Sequence, residues 1–149
     1  MSHSKQPPDP TWFDAWRGIL FANARVLQAV EDRLQDHSGI PLTFLDVLSR
    51  LYDAPGHSLR MQELQERSLF TRSGMTRLAD RIEAAGLIRR ERVPGDRRGV
   101  SVVLTPEGEL LIESAMAKHR SDVEQEFARR LTPAQREAVA EALWQFWHD

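Results

Sequence analysis

Apolar residues recur at helical spacing from about Thr11 to Leu34, at Trp12, Trp16, Ile19, Leu20, Val26, Leu27, Val30 and Leu34. That pattern predicts one long amphipathic helix, ended by Ser38, Gly39 and Pro41. Phe44, Leu45, Leu48 and Leu51 mark a second helix, closed by the turn residues Pro55 and Gly56. A short third helix covers Met61 to Arg67, and a fourth runs from an N-cap at Thr71 to about Ala85, stopping at Gly86. The period then changes from helical to alternating. A strand begins at Leu87-Ile88, Pro94-Gly95 turns, and a second strand returns over Val100 to Leu104 with Val100, Val102 and Leu104 on one face. Thr105-Pro106 restarts helix as N-cap and first helical residue. This fifth helix carries Leu110, Leu111, Met116, Val123 and Phe127 and is broken at Leu131-Thr132-Pro133. Thr132 and Gln135 have capping-box spacing for a last helix with Val139, Leu143, Phe146 and Trp147.

On a helical wheel the fourth helix splits cleanly. Met75, Leu78, Ala79 and Ile82 share one sector and must face a core, while Ser73, Thr76, Arg77 and Asp80 lie opposite, with Arg72 and Arg81 on the flanks. Hydroxyls and guanidinium groups on an exposed helix are the donors that read base edges and phosphates in a major groove, and a free helix N-terminus favours a phosphate. A short helix, a tight connection and such a helix form a helix-turn-helix. The hairpin that follows, RRERVPGDRRGVSVVL, makes it a winged one. Five of its first ten residues are arginine, a crowding of like charge that calls for an anion. Arg97 and Arg98 at the tip suit the negative potential of a minor groove, and Asp96 is near enough to hold one of them by a charge-assisted bond.

Charge distribution sharpens this. The formal net charge is −2, but Arg72 to Arg98 holds eight arginines and four acids, net +4, leaving −6 for the remainder. Basic charge gathered in one segment of an acidic chain marks a localised polyanion-binding surface; a solvated charged face is the other reading of charge alone. The 149 residues suit one compact domain with a core. No apolar run is long enough to span a membrane, and the polar start MSHSKQPPDP reads as a flexible tail over residues 1–10. The absence of cysteine excludes disulfides and thiolate metal sites and fits a cytoplasmic protein.

The run SGMTRLADRIEAAGLIRRERVPGDRRGVSVVLTPEG, Ser73 to Gly108, resembles the recognition helix and wing of the MarR (multiple antibiotic resistance regulator) family. The wing's Asp-x-Arg is present as Asp96 and Arg98, and the strand-to-helix junction as Leu104-Thr105 with Gly108. Two positions depart from the family pattern: Gln65 replaces a small alanine in the third helix, and Pro41 a capping residue at the second. The resemblance implies a mainly α fold with a small β-hairpin wing: a winged helix-turn-helix over residues 41–105, flanked by dimerisation helices over 11–38 and 106–149. It also implies a ligand-responsive repressor that binds a pseudo-palindromic operator as a homodimer. Expected DNA contacts are Arg72, Ser73, Thr76, Arg77, Arg81, Asp96, Arg97 and Arg98. The alternative is a winged helix used for protein contact or non-specific DNA architecture.

All four tryptophans, Trp12, Trp16, Trp144 and Trp147, lie outside the winged-helix block, which suits either packing within one subunit or a dimer interface woven from both termini. The family also senses small aromatic or phenolic anions, for which Trp12, Trp16, Arg17, Asn23, His57 and Arg60 are the candidate contacts. The five histidines, His3, His37, His57, His119 and His148, show no metal-ligand spacing and are expected in solvent-exposed or capping roles. No catalytic arrangement or phosphate loop can be read, so neither enzyme activity, a cofactor nor a metal is expected.

Overall fold

The helix over Leu42–Asp53 turns one face inward so completely that Val47, Leu48 and Leu51 have no exposed surface. Around it the computed structural model describes residues 10–68 and 74–146 in the order α1 (Pro10–Ser38), α2 (Leu42–Asp53), β1 (Ser58–Arg60), α3 (Met61–Arg67), α4 (Met75–Ala84), β2 (Ile88–Arg92), β3 (Val100–Leu104), α5 (Pro106–Glu126) and α6 (Pro133–Trp144). The expected N-cap Thr71, the contact residues Arg72 and Ser73, Trp147, His3 and His148 lie outside the described residues. The fold is mainly helical with one small antiparallel sheet.

That sheet has three strands, not two. Its order is β1-β3-β2, with Leu59 opposite Val102 and Ile88 opposite Leu104. These four side chains are buried and hold the wing's root in the core. Strand β1 is three residues long, too short for alternation to announce it. On α4, Met75, Leu78, Ala79 and Ile82 are all buried, as the wheel predicts. Pro41 at the start of α2 has no capping side chain; Glu31 of α1 replaces it, its carboxylate accepting the Leu42 N–H at 2.9 Å.

The junction of wing and α5 is closely stitched. The Thr105 N–H donates to the Leu87 carbonyl (3.1 Å), and its hydroxyl donates to Gly86 O (2.7 Å) while accepting the Gly108 N–H (3.1 Å). Thr105 is therefore the expected N-cap and also ties α5 to the end of α4. Two details of α5 differ from expectation. Its core contacts come from Gly108, Ile112 and Ala115, whereas Leu110 is 71% exposed. The α-helix also ends at Glu126, and a short 3-10 turn, Ala128–Arg130, precedes Leu131. The capping box at α6 is present: Gln135 N–H donates to Thr132 Oγ1 (3.3 Å), and Thr132 N–H to Gln135 Oε1 (2.9 Å).

Packing divides the chain into two compact units, Glu31–Asp122 and the described residues up to Val30 with those from Val123 onward. The first contains α2 to α4, the sheet and most of α5. The second holds an apolar groove of about 690 Å³, bordered by Ile19, Leu27, Val123, Phe127, Val139 and Leu143 among others.

Candidate nucleic-acid interface

With its apolar side committed to the core, α4 exposes Thr76, Arg77, Asp80 and Arg81. Arg81 is partly engaged already: its guanidinium lies over the buried Phe44 ring, 5.4 Å from the centroid, a cation–π contact that orients it along α2. The start of the connection into α4 is anchored by a buried carboxylate. Asp46 on α2 accepts from Arg50 Nε and Nη2, both at 2.9 Å, and from the Ser68 hydroxyl at 3.1 Å. Burial of a charge is tolerable there because both its oxygens are bonded.

The wing is locked to α4 by Arg90 of β2. Its guanidinium donates to Glu83 Oε2 at 2.7 and 3.0 Å and reaches Asp80 Oδ1 at 2.6 Å, while its backbone N–H donates to Glu83 Oε1 at 2.9 Å. These bonds lower the Glu83 pKa, the Arg90 side chain contributing most and its backbone amide next, and they raise that of Arg90. Helix α4 and the wing thus share one ion-pair network.

At the tip, the Asp96 carboxylate does not grip Arg97 or Arg98 by the guanidinium, as the sequence suggested. One oxygen accepts the Arg98 backbone N–H at 3.0 Å, and the other accepts from Arg60 Nη1 at 3.1 Å. The bond from the Arg98 amide is the largest cause of the lowered Asp96 pKa, with Arg60 adding to it. A backbone donor wins because residues two apart in this tight turn bring amide and carboxylate together without side-chain ordering. Arg97 and Arg98 stay exposed.

Between α4 and the wing lies a cleft of about 560 Å³ lined by Arg60, Thr76, Arg90, Arg92 and Arg98, with Glu91 and Asp96 its acidic members. The arginines divide by occupation. Arg89 pairs with Glu91 at 2.6 Å, Arg90 with Asp80 and Glu83, and Arg81 sits on Phe44. Arg77, Arg92, Arg97 and Arg98 are exposed and form no ion pair with the described residues. Arg92, which the sequence did not single out, lines the same cleft. It shares the charged run with Arg89 and Arg90, and only the folded pairing separates spoken-for guanidinium groups from free ones.

The effector candidates divide between the two units. Trp12, Trp16, Arg17 and Asn23 are exposed on α1, Trp12 edge-on to Phe13 at 5.5 Å, and Asn23 borders the apolar groove. His57 stacks edge-on against Tyr52 at 5.1 Å, and Arg60 belongs to the wing through Asp96. Two histidines correct the expected exposed or capping roles. His37 Nε2 lies 2.7 Å from Asp122 Oδ2. His119 is half-buried, its Nδ1 enclosed without a hydrogen-bond partner among the described residues. Burial lowers the His119 pKa, with Asp122 opposing.

A helix-turn-helix whose exposed helix is ion-paired to a basic hairpin wing defines a winged helix-turn-helix protein. The MarR family model matches residues 38–99. Among curated proteins, the HTH-type transcriptional regulator PrsX of Escherichia coli is 33% identical over 92 residues, 62% of this chain and 55% of PrsX. The match thus spans about half the length of that relative. Among solved structures, the MarR family transcriptional regulator Sco3205 of Streptomyces coelicolor, in complex with DNA, superposes with a TM-score of 0.86 and 28% identity over 97% of this chain and 91% of that one. AbsC of the same organism, also a MarR family transcriptional regulator, gives 0.83 and 28% over 93% of each chain. Residues 38–99 are thus similar to the MarR family, and the fold is that of these solved MarR family regulators. No helix among the described residues is long and apolar enough to cross a membrane.

Proposed function

We propose that this protein is a cytoplasmic, sequence-specific transcriptional regulator of double-stranded DNA, a homodimer that represses from a pseudo-palindromic operator until a small aromatic or phenolic effector releases it. The observation that carries the reading is the arginine-lined cleft between α4 and the wing, with Arg77, Arg92, Arg97 and Arg98 free to meet phosphates and base edges. The DNA-bound state of Sco3205 supports it.

In this reading residues 41–105 bind DNA. Thr76 and Arg77, with Arg72 and Ser73 preceding them, read the major groove; Arg81 flanks it. Arg98 enters the minor groove, Arg97 meets a neighbouring phosphate, and Asp96 shapes the loop that carries both. Residues 11–38 and 106–149 dimerise. Exposed Trp12, Phe13, Trp16, Phe21 and Trp144 support this, because so much apolar surface on a monomer marks an interface. Trp12, Trp16, Arg17 and Asn23 are the α1 residues offered to the effector. The protein is a binder and not an enzyme, and works without a cofactor.

The test is a gel shift at physiological salt with duplexes tiled from the DNA upstream of its own coding sequence, against a scrambled duplex of equal composition. One tiled duplex should bind at least roughly a thousandfold more tightly. Equal binding to all duplexes would overturn specific regulation in favour of an architectural or protein-contact role.

A further inference from the structure

Arg60 stands at the end of β1 and the start of α3, far from the wing in sequence, yet its guanidinium reaches the wing tip 36 residues on. Its backbone is held twice: its N–H donates to Glu63 Oε2 at 2.9 Å, and the residue pairs with Ser101 of β3. The side chain therefore starts from a fixed point. At the other end, the Asp96 carboxylate is confined. A β-carbon on Gly99 would lie 2.6 Å from Asp96 Oδ2, so a larger residue there would displace the carboxylate. Asp96 Oδ1 holds the Arg98 N–H at 3.0 Å and Oδ2 holds Arg60 at 3.1 Å. A continuous set of bonds runs from Glu63 through Arg60 and Asp96 to the backbone of Arg98.

We infer that Arg60 is a positioning residue for DNA binding, a latch that acts through Asp96 to fix the wing tip and the direction of Arg98. The inference rests on the DNA-binding reading above. Half-exposed ion pairs add little to global stability, so what this one contributes is geometry and local charge. Arg60 also neutralises Asp96, which would otherwise set a bare carboxylate beside a phosphate backbone. Such a residue differs from a phosphate contact in two measurable ways. Its loss should be invisible once Asp96 is gone, and it should leave the count of released counterions unchanged.

The experiment combines a measurement on the free protein with one on its DNA complex. In the DNA-free protein, amide hydrogen exchange at Arg98 should accelerate in Arg60→Ala and in Asp96→Ala but stay slow in Arg60→Lys, with the thermal midpoint of all three near wild type. On the tiled duplexes, Arg60→Ala should weaken binding roughly two- to fivefold, the scale of an exposed pair. It should keep the wild-type salt slope, lose preference for an A·T-rich flank, and add nothing to Asp96→Ala. Unchanged Arg98 exchange in Arg60→Ala overturns the latch, and so does a loss that adds to Asp96→Ala with a shallower salt slope, which makes Arg60 a direct phosphate contact. If wild type prefers no duplex, the regulatory reading fails, while the exchange measurement still decides whether Arg60 fixes the tip.

Discussion

Gly108, in the first turn of α5, passes so close to Leu87 that a β-carbon would lie 2.1 Å from the Leu87 carbonyl oxygen and 2.8 Å from Leu104 Cδ1. The same carbonyl accepts the Thr105 N–H, so backbone and not a yielding side chain fills the space. Gly108→Ala must push α5 away from the end of α4 and the root of the wing. The expected cost is on the order of 1–3 kcal/mol, the range for overpacking a closed site, read as a lower midpoint in urea denaturation. Thr105→Val, which keeps shape but loses both hydroxyl bonds, should cost about 1 kcal/mol. A fully stable Gly108→Ala would show that α5 can shift without loss.

The Arg90 network should make stability depend on acid in a way one substitution removes. Glu83 has its folded pKa lowered by Arg90, so the unfolded chain takes up a proton first as pH falls. Its contribution is fully present above the unfolded value of about 4.3 and is lost as pH drops through the folded value. Arg90→Met, keeping the stem, should destabilise by on the order of 1 kcal/mol at neutral pH. The difference between wild type and variant should shrink toward zero in acid. A difference constant with pH would assign the loss to packing of the arginine stem instead.

How much of this was legible in the sequence follows from the range of each interaction. The burial of Met75, Leu78, Ala79 and Ile82 was readable, because helical period is local. So were the caps at Thr105 and Thr132, whose partners stand three residues away. Strand β1 was not, since its Ser58–Arg60 segment forms a strand only by pairing with β3. The partners of Arg60 and Arg90 were hidden for the same reason. The sequence supplies a crowd of arginines, and only tertiary contact shows that Arg60, Arg81, Arg89 and Arg90 are engaged while Arg92 is free. The role of Asp96 was half legible: position near Arg98 is local, but the choice of amide over guanidinium depends on how the turn closes.

His119 should set a second pH dependence, near neutrality. Its Nδ1 is enclosed without a partner, and burial depresses its pKa below the ordinary value, with Asp122 pulling the other way and His37 adding to the depression. A neutral folded histidine that protonates more readily when unfolded loses stability as pH falls from about 6.5 toward the folded pKa. The groups facing it are Asp122 on α5 and, across on α1, His37 and Arg33, the last 3.7 Å from Asp122. His119→Leu removes the titrating ring and the orphaned nitrogen, so it should flatten the stability profile between about pH 7 and 5.5. Thermal melts across that interval decide it; an unchanged slope would place the proton uptake elsewhere.

Assembly is tested by removing residues 132–149. Val139 and Leu143 of α6 border the apolar groove together with Ile19 and Leu27 of α1, so the truncation lays apolar α1 surface bare on a chain whose Trp12 and Trp16 are already more than half exposed. Light scattering should report monomer or aggregate, and binding to a full operator should be lost, since two half-sites need two linked subunits. A monodisperse truncated dimer would confine the interface to α1 and α5.

Arg77 and Arg92 separate base reading from charge. Both are exposed and free of ion pairs to described residues, but Arg77 projects from the recognition helix and Arg92 lines the cleft toward the wing. With α4 in the major groove and the wing in the minor groove, as proposed, the DNA backbone between the two grooves would pass at Arg92. Arg77→Ala should lose on the order of 1–3 kcal/mol on the preferred duplex and much less on the scrambled one, so discrimination falls with affinity. Arg92→Ala should weaken both duplexes alike and reduce the salt slope by about one per subunit. Titrations of both variants on both duplexes at several salt concentrations give the two slopes and the two ratios. Should Arg77→Ala leave the ratio untouched while lowering the slope, Arg77 is a phosphate contact and the base reading passes to Thr76, with Arg72 and Ser73.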